Sequence, residues 1–168
     1  MTYPLRVRLH ALYFILVALT LPVGAAQQRD HLTEEEADLV REMQIIDQRI
    51  DIFIGAADRR LLVLTNPNPT QKKKEEERWG PLPTGTKLEL LTDLKKILSE
   101  AMEKIDDAVA RNRNDPLVAK ALDKLKKAAT RQLVEMRALA GKVTDKREER
   151  ALAEAIEEAD VASKGSLQ

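Results

Sequence analysis

An all-helical fold is predicted by three features of the chain. Apolar residues recur at spacings of three and four over four long stretches, helix-capping residues stand at the start of three of them, and no stretch alternates apolar and polar residues as a half-buried strand would. The pattern predicts a four-helix bundle: a long first helix, a long crossover loop, then three helices joined by short turns. A three-helix bundle with a loosely packed fourth helix is the alternative, because the last stretch is short and rich in alanine.

Ahead of the helices lies an address. Arg6, Arg8 and His10 precede the 13-residue, almost wholly apolar run Ala11 to Val23, and Val23-Gly24-Ala25 ends in the small residues a signal peptidase requires. Residues 1–25 are therefore read as a cleaved signal peptide, cut between Ala25 and Ala26 or one residue on, and 26–32 as a lead-in to the domain. A transmembrane helix takes about 20 consecutive apolar residues. This run is shorter and contains Thr20 and Pro22, so no stable transmembrane anchor is expected after cleavage. The chain has no cysteine for a lipid anchor, and Arg6 and Arg8 are separated by Val7, so they form no twin-arginine pair. The expected destination is the periplasm or the extracellular space.

The domain is assigned to residues 33–163. Leu32-Thr33-Glu34-Glu35-Glu36 opens the first helix with a capping box, in which Thr33 and Glu36 satisfy each other's backbone N–H groups. Leu39, Met43, Ile46, Ile50, Phe53 and Ala57 continue as a seam at spacings of four and three, carried on by Leu61 and Leu64. Asn66-Pro67 ends it, since a residue before proline is pushed out of the helical region. At 1.5 Å per residue, such a helix is a continuous rod of roughly 46 Å.

Residues 66–86, NPNPTQKKKEEERWGPLPTGT, form the crossover loop, with a short solvated helical turn expected from the Lys72 to Glu77 block. The second helix, from about Lys87 to Arg111, has the stripe Leu91, Leu94, Leu98, Ala101, Ile105 and Ala108. Asp115 as cap and Pro116 at the first helical position start the third, with Val118, Leu122, Leu125, Ala129, Leu133, Met136 and Ala140 as its stripe and Gly141 as its C-terminal cap. Asp145 with Glu148 caps the fourth, which presents Leu152, Ala155, Ile156 and Ala159; residues 164–168 are a frayed tail. The short turns make the last three helices antiparallel neighbours, and the long loop leaves the direction of the first open.

Composition excludes several functions. The whole chain balances 28 basic against 28 acidic residues, and loss of Arg6 and Arg8 tips the exported part weakly acidic, against a nucleic-acid partner. Past the signal segment Phe53 and Trp79 are the aromatic residues, too few for a sugar platform, and His31 is the histidine, so multi-histidine metal sites are absent. No catalytic residue and no cofactor site is assigned, and the chain is read as a non-catalytic binding or structural module, a reading that allows an unknown protein partner.

Two features stand out within that reading. Residues Ile50 to Ala57 are apolar nearly all round, so the helix is buried on more than one side, and Gly55 within them points to the close approach of a neighbouring helix. Asp47, Asp51 and Asp58 flank this belt. With Asp106 on the second helix they form the alternative, divalent-metal or carboxylate-enzyme reading; ion pairing with Arg49, Arg59, Arg60 and arginines of other helices is the simpler account. Trp79 is the partner-binding candidate. The expectation is that it docks the loop onto the bundle, with an exposed binding hot spot as the alternative.

Overall fold

The computed structural model describes residues 29–165, and among them the ordered secondary structure is entirely helical. The expected signal segment, the first three residues of the lead-in and the end of the tail lie outside these residues. In chain order the helices are α1 (Glu34–Glu42), α2 (Ile46–Thr65), α3 (Lys73–Trp79), α4 (Lys87–Asn112), α5 (Pro116–Leu139) and α6 (Lys146–Lys164), with a 3-10 turn at Ala140–Lys142. No helix among them is long and apolar enough to cross a membrane.

Helix α2 packs along α4 and α5, and α6 packs along the same two helices; α4 and α5 meet more sparingly. The buried interior gathers Ile50, Phe53, Ala57 and Leu61 from α2, Leu91, Leu94, Leu98 and Ile105 from α4, Leu125 and Met136 from α5, and Leu152 from α6. The stripes read from the sequence are thus the inward faces of these helices, except Ala140, which is exposed in the 3-10 turn after α5. Helix α6 is not loosely attached. Ala151, Ala155, Ala159 and Ala162 are buried, and their small side chains let its backbone lie close to α4 and α5.

Two expectations are corrected. The first helix is not one rod: it breaks between Glu42 and Ile46, with Met43 and Ile45 in extended conformation. Arg49 Nε donates to the Met43 carbonyl at 2.7 Å, and Gln44 Nε2 donates to the Arg41 carbonyl at 2.8 Å, so side chains satisfy groups that the broken ladder releases. Leu39 and Met43 accordingly stand half-buried outside the core, while Val40 and Ile46 pack against it. Gly141 is not a left-handed cap either. It lies in the 3-10 turn and lacks a positive φ, and Val143 follows into the core.

Capping follows local sequence closely. Thr33 with Glu36 and Thr86 with Glu89 form reciprocal boxes, Asp115 accepts from Leu117 N–H at 2.9 Å, and Asp145 accepts from the N–H groups of Arg147 and Glu148. The backbone bonds at Thr86 and at Arg147 and Glu148 hold the carboxyls of Glu89 and Asp145 below the ordinary range.

Candidate binding cleft around Trp79

The crossover segment is tied down by one arginine. Arg59, on α2 and nearly buried, donates from Nε to Glu36 Oε1 at 2.9 Å, and its Nη groups reach the Gln71 side chain and the carbonyls of Gly80 and Pro81. Gln71 Nε2 donates to the same Gly80 carbonyl at 2.8 Å. Gly80 closes α3 at φ 67°, where a side chain is strained, and a Cβ there would sit 2.6 Å from the Glu35 carboxyl carbon. Short α3 is thereby held over α2 with Trp79 at its end.

The indole lies directly on Gly55. A Cβ built at Gly55 would meet Trp79 Cη2 at 2.5 Å and Cζ2 at 2.7 Å, so the glycine inside α2 is there to admit a ring. The guanidinium of Arg59 stands 5.7 Å and that of Arg78 5.4 Å from the ring centroid, within cation–π range. Trp79 is half-buried: it docks the segment, and part of its ring still lines an open cleft of about 410 Å³. Helix α2 forms the floor with Gly55, Asp58, Leu62 and Thr65; α3 and the residues around it supply Gln71, Glu75, Trp79 and Leu82, and α5 supplies Arg131 and Glu135. That volume falls within the range of small-molecule and side-chain pockets.

Three of the four aspartates read as a metal alternative, Asp47, Asp51 and Asp58, are spread along the α2–α5 seam, where each meets a cation of α5. Asp47 is buried and pairs with Lys120 at 2.7 Å and Lys124 at 3.1 Å; Asp51 also takes Lys124, at 2.6 Å; Asp58 takes Arg131 at 2.8 Å and the Gln132 amide at 2.7 Å. Hydrogen bonds from Lys120 and Lys124 hold the Asp47 carboxyl below the ordinary range against the opposing effect of burial. Burial would lower the Lys124 ammonium, but hydrogen bonds to Asp51 and Asp47 outweigh it and raise it. Asp58 raises Arg131 in the same way. The partners are thus α5 cations, two of them lysines, and not Arg49, Arg59 and Arg60. Asp106 stands exposed on α4, outside these pairs. Among the described residues no three acidic or histidine side chains come together as a metal-holding group.

Sequence reasoning missed the buried counterpart. Glu36, 0% exposed, accepts from Arg59 and twice from Arg60 Nη1 at 2.6 Å, while it also caps α1 through the Thr33 N–H at 3.0 Å. Arg60, 1% exposed, further donates to the carbonyls of Ala56 at 3.0 Å and His31 at 2.7 Å. Its Nε lies 4.0 Å from Asp93 Oδ2, itself 3.0 Å from Arg29 Nη1, and neither Nε nor Oδ2 completes a hydrogen bond. Burial raises the Asp93 carboxyl, against the pull of Arg29 and Arg60. The signal was present in the sequence: Arg59-Arg60 follows the apolar belt at positions where a helix apolar nearly all round must bury them, so a carboxylate partner was required.

Comparison with protein-family models, with curated proteins and with solved structures returns no match, so the cleft is read from its own geometry.

Proposed function

We propose that this chain is a non-catalytic binding module, exported through a cleaved signal peptide at 1–25, that engages a protein partner through the cleft around Trp79. In this reading α2, α4, α5 and α6 are a four-helix bundle whose role is to present the cleft. The observation that carries the proposal is the half-buried Trp79, seated on a glycine and fixed by Arg59, with ring surface left on an open, partly apolar cleft. A tryptophan held rigid at the edge of a concavity loses little conformational freedom on binding, which is why this residue is enriched among interface hot spots. The acidic side chains of the α2–α5 seam already have lysine and arginine partners, which favours a structural role for them over metal binding or general acid–base work.

Site-specific photo-crosslinking in the native cell tests the site. A crosslinking residue at Thr65, exposed on the cleft floor, should trap a discrete partner, and the same residue at exposed Glu157 on α6 should not. Equal capture from both positions, or from neither, overturns the binding reading. Export is checked by the intact mass of the protein recovered outside the cytosol, which should begin at Ala26 or Gln27; retention of Met1 overturns it.

A further inference from the structure

The charges around the cleft define what its occupant carries. Five charged side chains line it, but Arg59 is nearly buried and committed to Glu36 and the carbonyls of the crossover segment, so an incoming group does not meet it as a free cation. Of the lining groups, what faces outward is Asp58, Glu75 and Glu135 against Arg131, with exposed Arg78 beside the Trp79 ring as the second cation, so carboxylates remain in excess. Arg131 is already divided between Asp58 at 2.8 Å and Glu135 at 3.7 Å. Glu75, exposed on α3, and Glu135, on α5, line the cleft from two helices, and Leu62, Leu82 and the Trp79 ring supply its apolar lining. An apolar lining bordered by carboxylates from two helices complements a chain that is apolar along its length and positively charged at its side-chain ends.

The surface next to the cleft indicates a chain and not a small amphiphile. Val134 is 67% exposed, the most exposed large apolar residue among those described, and helical geometry places it one step farther round α5 from Arg131, on the outside of the wall. A ligand confined to the cleft does not reach it; a peptide segment crossing the α5 wall does.

We propose that the cleft takes a basic, apolar peptide segment of a partner protein, with an arginine or lysine between Glu75 and Glu135, an apolar side chain on Trp79, and a second apolar side chain on Val134. This rests on the reading of the cleft as a binding site and adds the chemistry of its occupant.

Trp79 is the sole tryptophan, so its emission reports occupancy directly. The probes are three acetylated, amidated peptides that alternate leucine with arginine, with glutamine or with glutamate, together with octylguanidinium. The arginine peptide should shift Trp79 emission and bind about tenfold or more tighter than the glutamine peptide, with the advantage shrinking as salt is raised. Glu75→Gln with Glu135→Gln should remove that advantage and leave the glutamine peptide unaffected; glutamine still serves in the α3 cap, so the double variant keeps its fold. Val134→Ser, which removes the apolar contact without adding charge, should weaken peptide binding and spare octylguanidinium. Glutamate or glutamine peptides that bind as well as the arginine peptide overturn the charge assignment while the crosslinked partner at Thr65 still upholds the site. Octylguanidinium binding as tightly as the peptide, with Val134→Ser silent, overturns the peptide. No response to any probe, with a partner nevertheless crosslinked at Thr65, also overturns this inference; loss of the crosslink itself overturns the site on which it rests.

Discussion

Towards α1 and α4, helix α2 buries Arg59 and Arg60 against Glu36 and Asp93; towards α5 it carries Asp51 and Asp58 at or near the surface, paired with Lys124 and Arg131, with Asp47 tucked beneath Lys120 and Lys124. The same helix therefore handles charge in two ways. On the α5 side, the long side chains paired with Asp51 and Asp58 reach in from solvent and water screens them, so those pairs contribute little, while buried Asp47 is shared by two lysines. On the α1 side, guanidinium and carboxylate are taken out of water together, and neither is tolerable without the other. The buried side is also where the chain joins distant parts, since Glu36, Arg59 and Arg60 link α1, α2 and the crossover segment that carries Trp79. Buried charge here therefore fixes the placement of segments that have little apolar surface of their own. Helix α1 buries one residue, and that residue is Glu36.

Glu36→Gln breaks the comparison at its strongest point. Glutamine keeps the capping geometry but takes from two buried guanidiniums the carboxylate they hydrogen-bond, leaving only Asp93 at 4.0 Å from Arg60, so a loss of about 3–5 kcal/mol is expected in denaturant unfolding. Phe53→Ala, on the same helix but in the apolar interior, gives the reference, also at about 3–5 kcal/mol, from lost contacts and a cavity. A Glu36→Gln loss under about 1 kcal/mol would show that the buried cluster behaves like an exposed pair.

Lys124→Met on the α5 side should cost about 1 kcal/mol or less, a loss that fades as salt is raised. A salt-independent loss as large as that of Glu36→Gln would erase the distinction between the two sides.

Acid separates the two sides by sign. The Asp47 carboxyl is held below its ordinary value of 3.8, so its stabilisation is present above that pH and is lost as pH falls through the lower folded-state value. The Asp93 carboxyl is raised above 3.8; its contribution is present below that pH and is lost as pH rises through the folded-state value. The stability gap between the wild type and Asp47→Asn should therefore close on acidification below 3.8. Over the acid range above 3.8, the gap between the wild type and Asp93→Asn should instead move in favour of the wild type as pH falls. Parallel pH profiles for the two variants would contradict the opposite placement of these carboxyls.

The smallest stability effect is expected at Gly55. Alanine adds about 1 kcal/mol of helix propensity, but its methyl takes the place of the Trp79 ring. Gly55→Ala should leave the unfolding midpoint close to that of the wild type while Trp79 emission moves to the red and becomes readily quenched by iodide. Unchanged emission would show that the indole does not depend on this seat.

The capping residues and the periodic stripes made the helical class, the four long helices and most of their bounds legible, because caps and amphipathic faces are written within a few consecutive residues. Trp79 was legible as a docking residue, and Gly55 as a close-approach position, but not that one was the seat of the other: 24 residues separate them, and sequence periodicity carries no information across a loop. The break after Glu42 was invisible for a related reason. The seam continues through Met43 in register, while the ladder is interrupted where Arg49 and Gln44 capture its carbonyls and Glu36 draws α1 onto Arg59 and Arg60. The sequence alone determined the starts of the side-chain-capped helices and the faces that turn inward, but not the start of α2 at Ile46, which has no side-chain cap. Tertiary structure decided which charges are buried, which lysines of α5 meet the aspartates of α2, and how one arginine folds the crossover segment into a cleft, because the cost of a buried charge is set by what lies beside it in space and not in the chain.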